Sequence, residues 1–459
     1  MNLDFATLLP LVILGLFLLV IAIIRPELGL SALIVVVYTN LSDVLIAQFG
    51  FPSITQPLIG LLGVVILARR FIFQDKLEGW FQLTVLLGIF MFLGYLTIFF
   101  AFDPGLVKET LLYHIKNAVI GLVVIFLLQK QVQIKWAIWS LIGAGIFMGT
   151  ISTYQVVTGD ISNLFWGFGR VLEKGGGSFR LWGSIGDANY YAQIMVALVP
   201  FAVERLLHEK KIILRVLAGW GLIVILVTIL YTFSRGGYLA LLAVGFLIFL
   251  IFIRQPSRSY AGILVFGILL FLTFQYLPAQ YTQRFTTLFE LLPGGNTSAK
   301  IDSALQGRIA ANVIGWTMFS DHPILGVGVG NFNTNFDYYA RQLGLSHEAQ
   351  SAHNLYLEIA AERGIFGLLS FLAIIYSTFR VLQRTNASFL KKNLTEMANI
   401  YHAVTASLAG YLVAATFLHD SHIRYLWLLL GIAWSAPQVF KSLAGGQLAE
   451  DRLNNSKMA

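Results

Sequence analysis

The chain has 459 residues, 57% of them hydrophobic and only 12% charged, with mean hydropathy +0.75 and net charge +8. A soluble chain carries about a quarter charged residues, so this composition excludes a soluble enzyme and a nucleic-acid partner, and it assigns the basic excess to membrane orientation. The absence of Cys excludes disulfide frameworks, thiolate zinc sites, iron–sulfur clusters and a Cys nucleophile, which leaves His, Arg, carboxylates and hydroxyls for any chemistry.

In chain order, apolar blocks fall at 8–24, 29–49, 57–73, 80–100, 110–128, 136–157, 190–206, 212–230, 237–253, 260–277, 355–379, 400–418 and 424–440. Blocks near 20 residues predict about 12 or 13 membrane-spanning helices. Barrel strands would instead alternate over about 10 residues. The predicted fold is therefore an all-α polytopic transmembrane bundle. The first block follows Asp4 without a basic region and ends at Arg25-Pro26, which reads as a retained span and not a cleaved signal. Pro26, Asn40 and Asp43 interrupt the first two blocks, so one of them is expected to be broken or re-entrant.

Short-loop cations set the orientation. Arg69, Arg70 and Lys76, then Lys130 and Lys135, Arg205, Lys210, Lys211 and Arg215, Arg254 and Arg258, and Arg380, Arg384, Lys391 and Lys392 occupy alternate loops, which predicts that these face the cytoplasm. The chain then divides into an N-terminal bundle (1–157), central spans (158–277) with an outward loop at 158–189, a large outward segment (278–354), C-terminal spans (355–445) and a cytoplasmic tail (446–459). Structureless loops this long are uncommon, so 158–189 and 278–354 are candidates for function or for short helices of their own. No internal repeat of the kind an inverted-repeat transporter leaves is present.

Chemistry-bearing residues gather in the outward segments. In 158–189, glycines 175–177 lead to Arg180, and Asp187 or Asn189 can cap the helix expected from Tyr190. In Tyr231-Thr232-Phe233-Ser234-Arg235-Gly236-Gly237-Tyr238, Ser234 can cap the following helix, and Arg235 at that N-terminus makes a site suited to phosphate; a snorkelling Arg beside an ordinary cap is the bland alternative. Gln306-Gly307-Arg308 opens an interfacial amphipathic helix, followed by Asp321-His322-Pro323-Ile324-Leu325-Gly326-Val327-Gly328-Val329-Gly330-Asn331, a Gly-rich turn lacking the Gly-Lys-Ser/Thr of a nucleotide loop. His353-Asn354 stands just outside the 355–379 block, with Glu358 and Glu362 on its first turns and Gly364 and Gly367 deeper, where they would let another helix approach. An imidazole can accept a proton at neutral pH, which makes His353 the best general-base candidate.

His347 and Glu348, or His419, Asp420 and His422, could be taken for metal ligands, but no helical His-x-x-x-His pair accompanies them, so no metal or cofactor is expected. Asp420 and Arg424 are spaced for a surface pair. His114 and Lys116 near a span end could line a cavity.

Ser-Arg-Gly-Gly at 234–237, Gly-Arg at 307–308, Asp-His-Pro-Ile-Leu-Gly-Val-Gly at 321–328 and His353-Asn354 with Gly364-x-x-Gly367 together resemble the O-antigen ligase and polymerase superfamily over about 175–375. The resemblance implies a bundle like that of GT-C glycosyltransferases, a bacterial inner-membrane location and an active site facing the periplasm. It further implies a polyprenyl-diphosphate-linked glycan as donor and a saccharide acceptor. Carried over by motif, Arg235 and Arg308 meet the diphosphate and His353 meets the acceptor hydroxyl; Arg180 is added as a third phosphate or sugar contact. Ser234, Asn354 and Glu358 are supporting residues, with Glu358 either orienting the imidazole or serving as a helix-terminal charge. Guanidinium groups grip phosphate in bidentate fashion and stay charged, so an inverting transfer needs no metal. The outward segment 278–354 is not a basic patch, which favours a surface-polysaccharide polymerase over a ligase whose lipid A-core acceptor is heavily phosphorylated. A small-anion transporter, for bicarbonate for example, is the rival reading. It would need charges along the spans, and most spans lack them.

Overall fold

The computed structural model describes residues 19–74, 79–173, 179–253, 267, 303–345, 351–419 and 423–445. Its helices are α1 (Pro26–Tyr38), α2 (Leu41–Phe49), α3 (Thr55–Ile72), α4 (Phe81–Leu96), α5 (Pro104–Leu127), α6 (Gln131–Thr158), α7 (Ala188–Val196), α8 (Val199–His208), α9 (Ile212–Tyr231) and α10 (Arg235–Ile253). They continue with α11 (Ser303–Asp321), α12 (Phe332–Gln342), α13 (Leu355–Lys391), α14 (Thr395–Ala414) and α15 (Arg424–Trp434). One antiparallel hairpin, β1 (Val171–Glu173) with β2 (Phe179–Leu181), interrupts this all-α bundle, with Leu172 opposite Arg180.

Eight helical stretches among the described residues are long and apolar enough to cross a membrane, and a ninth arises if the bent pair α1 and α2 is one span. The sequence blocks at 57–73, 80–100, 110–128, 136–157, 190–206, 212–230, 355–379 and 400–418 coincide with the eight. The expected interruption near Asn40 is a 58° bend between α1 and α2. Asn40 takes a left-handed φ of 58° there, and its side-chain amide donates to the Ser184 carbonyl at 2.9 Å. Block 237–253 is the apolar helix α10, and 424–440 begins with the 11 residues of α15. Block 260–277 and most of 8–24 lie outside the described residues, as does 278–302.

Helix starts follow local chemistry. Asp103 precedes Pro104 and accepts from the backbone N–H groups of Gly105 and Leu106 at 2.8 and 3.1 Å, so α5 begins with a side-chain cap and a residue that lacks an N–H. One apolar core runs through the bundle, joining α1, α5, α6, α8, α14 and α15. A second, smaller core of Ala311, Ile314, Met318, Val327, Phe332 and Phe336 packs α11 and α12 onto Ala361 of α13. The segment expected to be a large loop thus holds two helices with their own apolar contacts, and these fix where Arg308 stands.

Candidate active site

The helix carrying His353 is built around a break. Gly364, inside α13, has φ 64° and ψ −167°, which removes it from the helical path. The carbonyls of Ala361 and Glu362, freed by the break, accept from Val327 N and Gly328 N at 2.8 and 3.0 Å, and Ile365 N donates to the Pro323 carbonyl at 2.7 Å. A Cβ on Gly364 would fall on the Ile324 carbonyl, and one on Gly326 would fall on the backbone of Glu362. The two glycines therefore let a loop backbone lie against a helix backbone, which corrects the expectation that Gly364 serves the approach of another helix. Gly367, for its part, faces the Arg363 side chain of its own helix.

The Gly-rich turn is bonded to the rest of the protein at several points. Val329 N donates to Thr97 Oγ1 at 3.2 Å, and Phe332 N to Glu362 Oε1 at 3.1 Å. Asn331, fully buried, accepts from Asp103 N at 2.8 Å and donates to the Asp103 carbonyl at 3.1 Å. These amides are consumed in locking the turn to α4, α5 and α13, so they form no phosphate cradle.

His353 precedes the first turn of α13 in a left-handed conformation, φ 51°. That conformation costs about 1–2 kcal/mol for a residue with a Cβ. Asn354 follows as the helix cap, its Oδ1 accepting from Tyr356 N and Leu357 N at 3.1 and 3.2 Å. The cap forces the turn that presents the imidazole. His353 Nδ1 is buried with no hydrogen-bond partner among the described residues. Burial, then the positive charge of Arg308 and the nearby His419, push the imidazole down to about 4, while Asp187 pulls the other way. His353 is consequently neutral at pH 7.

The remaining candidates converge from three further elements. Arg308 is half-buried on α11 and acts on His353 through its charge. Arg235 is the first residue of α10, and Ser234, buried before it, accepts from Gly237 N at 3.1 Å as the expected cap. Gly236 lies against Phe417, two residues from His419, and Gly237 against Ala192 of α7, so the Ser-Arg-Gly-Gly turn is seated beside the His353 neighbourhood. Arg180 on β2 donates through Nε to the Thr232 carbonyl at 2.8 Å and points Nη2 at Asn189 Oδ1, 3.5 Å away. It ties the hairpin to the turn carrying Arg235. Glu358 is buried one turn into α13.

Arg424 donates to Asp43 Oδ2 at 2.7 Å and Asn40 Oδ1 at 2.8 Å, so its partners lie across the fold on the α1–α2 bend; Asp420 is outside the described residues. His419 packs on His353 with ring centroids 5.7 Å apart. No group of three or more His, Asp or Glu among the described residues could hold a metal; His347, Glu348 and His422 lie outside them. His114 is buried, and its Nδ1 accepts from Arg363 Nη2 at 2.6 Å.

Sequence reading missed Arg363. It is 1% exposed on α13, with its guanidinium 4.1 Å from the Phe90 ring centroid. An Arg at membrane depth in an apolar block is a signal that could have found it.

Residues 220–372 match the family model described as O-Antigen ligase. The match takes in α9, α10, α11, α12 and the broken half of α13, and with them Arg235, Arg308 and His353. No curated protein matches the chain.

Proposed function

We propose, from the match of residues 220–372 to the O-Antigen ligase family model, that this chain is a membrane glycosyltransferase of the O-antigen ligase and polymerase superfamily and polymerises a surface polysaccharide. It takes a glycan from a polyprenyl diphosphate at the outer face of the bacterial plasma membrane and joins it to the hydroxyl of a second saccharide. The observation that carries this reading is the His353 imidazole: neutral, held in a left-handed turn, and with a buried nitrogen that has no hydrogen-bond partner among the described residues.

The step is a direct displacement. The acceptor O–H gives its proton to His353, the oxygen forms a bond to the anomeric carbon, and the carbon–oxygen bond to the diphosphate breaks with its electron pair. Inversion at the anomeric carbon follows. The diphosphate departs toward Arg308 and Arg235, with Arg180 behind them, and guanidinium groups in a site that excludes water stabilise that charge strongly. The Ser234-capped N-terminus of α10 adds its dipole to Arg235. Donor binding also primes the base. Diphosphate at Arg308 offsets the cationic field that, after burial, most disfavours protonated His353, so the imidazole gains basicity when a donor is in place.

Removal of a general base costs typically about 10²–10⁴ in rate. In membranes of a host lacking its own polymerase and ligase, supplied with the native glycan pathway, wild-type protein should build a ladder on the polyprenyl carrier that His353→Ala abolishes at equal protein level. Transfer of a preformed glycan to lipid A-core would instead identify a ligase. If neither product forms and His353→Ala changes nothing, the reading fails and anion uptake becomes the next assay.

The pH profile provides a second test. With His353 pushed down to about 4 in the free protein, kcat/KM should stay level from pH 8 to about pH 5 and fall below that, whereas an ordinary imidazole gives an acid limb near 6.5. The sign for stability follows: the unfolded chain binds the proton more tightly than the folded one, so stability declines as pH drops from about 6.5 to about 4.

A further inference from the structure

The ring that faces His353 belongs to none of the motifs. His419 follows α14 and meets the His353 imidazole edge-on, with planes at 82°. Behind it the Tyr190 ring packs against His419 with centroids 5.3 Å apart, and the Tyr190 hydroxyl donates to the His419 carbonyl at 2.8 Å. Ring and main chain of residue 419 are thus both tied to α7. The start of α7 is itself fixed by Asp187, whose Oδ1 accepts from Asn189 N and Tyr190 N at 2.7 and 3.0 Å. One short stretch, 187–190, therefore supports the wall beside His353 and supplies the carboxylate that acts on it.

We infer that His419 and Asp187 are positioning residues for His353: the Tyr190–His419 stack fixes the plane of the imidazole, and Asp187, by capping the helix that carries Tyr190, holds that stack in place. The purpose of this device rests on the glycosyl-transfer reading; its geometry does not. The charged groups acting on His353 are Arg308 from α11, His419 from the turn after α14 and Asp187 from the turn before α7. Two contacting imidazoles resist being charged together, so a proton on His419 opposes one on His353. Asp187 favours the protonated ring. Burial and Arg308 keep the base neutral at rest; His419 adds to that and Asp187 opposes it. The buried Nδ1 of His353 is bonded by neither residue.

The test is a histidine titration of the full chain in lipid nanodiscs, with ring-labelled His followed by NMR and His353→Gln identifying the His353 signal. His419→Phe keeps a flat ring and removes the charge. His419→Gln removes both. Asp187→Asn keeps the helix cap, since Asn caps about as well as Asp, and removes the carboxylate. The His353 titration is expected to move to higher pH in both His419 variants and to lower pH in Asp187→Asn, each on the order of half a pH unit or more. With the native donor and acceptor, His419→Gln should lower kcat roughly tenfold with KM unchanged, because the ring loses its wall; His419→Phe should lower it less. Shifts in the same direction for residues 187 and 419, or no shift in variants that melt like wild type, overturn the inference. Should His419→Phe fail to fold, His419→Gln gives the same expected direction. Failure of wild-type protein to transfer glycan would count against the proposed function alone, because the titration is read without turnover.

Discussion

The two ends of the bundle handle charge in opposite ways. At the end carrying Lys135, Arg205 is 2% exposed and grips the Glu204 carboxylate through Nε and Nη2 at 2.5 and 2.7 Å. Its Nη1 reaches Glu209 at 3.4 Å and Glu396 at 3.6 Å, and Lys135 meets Glu396 at 2.8 Å, so α6, α8 and α14 are tied together. At the other end His353 has a nitrogen without a hydrogen-bond partner among the described residues, sits at positive φ and faces a cation and a second imidazole. Buried polar groups are nearly always satisfied, and strain persists only where the surroundings impose it. The contrast sets the Arg205–Glu204–Glu396 network apart from the end at which we propose the substrate site.

The largest effect expected from breaking this contrast is at the paired end. Arg205→Met strands the buried Glu204 carboxylate, and removal of one partner of a buried pair costs about 3–5 kcal/mol. The expected result is a much lower Tm in nanodiscs and poor yield, with normal kcat for the protein that stays folded. His353→Ala should do the reverse, losing activity while Tm holds. Equal loss of Tm from both substitutions would mean that the His353 end is structural as well, and the contrast would collapse.

A smaller loss is expected at the break in α13. Gly364→Ala places a Cβ on the Ile324 carbonyl and asks a non-glycine residue to hold φ 64°. Strained backbone of this kind costs about 1–3 kcal/mol, before any loss of the bonds from Val327 and Gly328. Tm should fall, and backbone amide exchange at 323–328 should quicken. Unchanged exchange there would show that the loop holds its place without the break.

How far the sequence leads depends on the range of the interactions. Hydropathy located the spans because each block buries its apolar surface locally, in lipid or against its neighbours. The caps were legible for the same reason: Asp187 and Ser234 bond amides within three residues. His353 and Arg308 were found as residue types in motifs, but nothing in the sequence places His419 against His353 or Arg180 on the Thr232 carbonyl, because those contacts join segments distant in the chain. The break at Gly364 was hidden as well. The block at 355–379 reads as one apolar helix, and only the arrival of the 323–328 backbone explains why Ala361 and Glu362 direct their carbonyls elsewhere. Asp187 shows both cases at once, since its cap is local and its charge on His353 is not.

The smallest effect sharpens the contrast most, because it separates holding the helix from tuning the base. Asn354→Ala removes the cap of α13 and should cost about 1 kcal/mol, typical of a lost N-cap. The acid limb of kcat/KM should then stay where wild type has it. Asn354→Asp keeps an acceptor for Tyr356 N and Leu357 N and adds a negative charge next to His353, so Tm should hold while the limb moves to higher pH, since a nearby anion favours the imidazolium. If Asn354→Ala instead abolishes transfer as completely as His353→Ala with Tm intact, Asn354 touches substrate itself, and the line drawn between a capping residue and a reacting one at this end of the bundle must be moved.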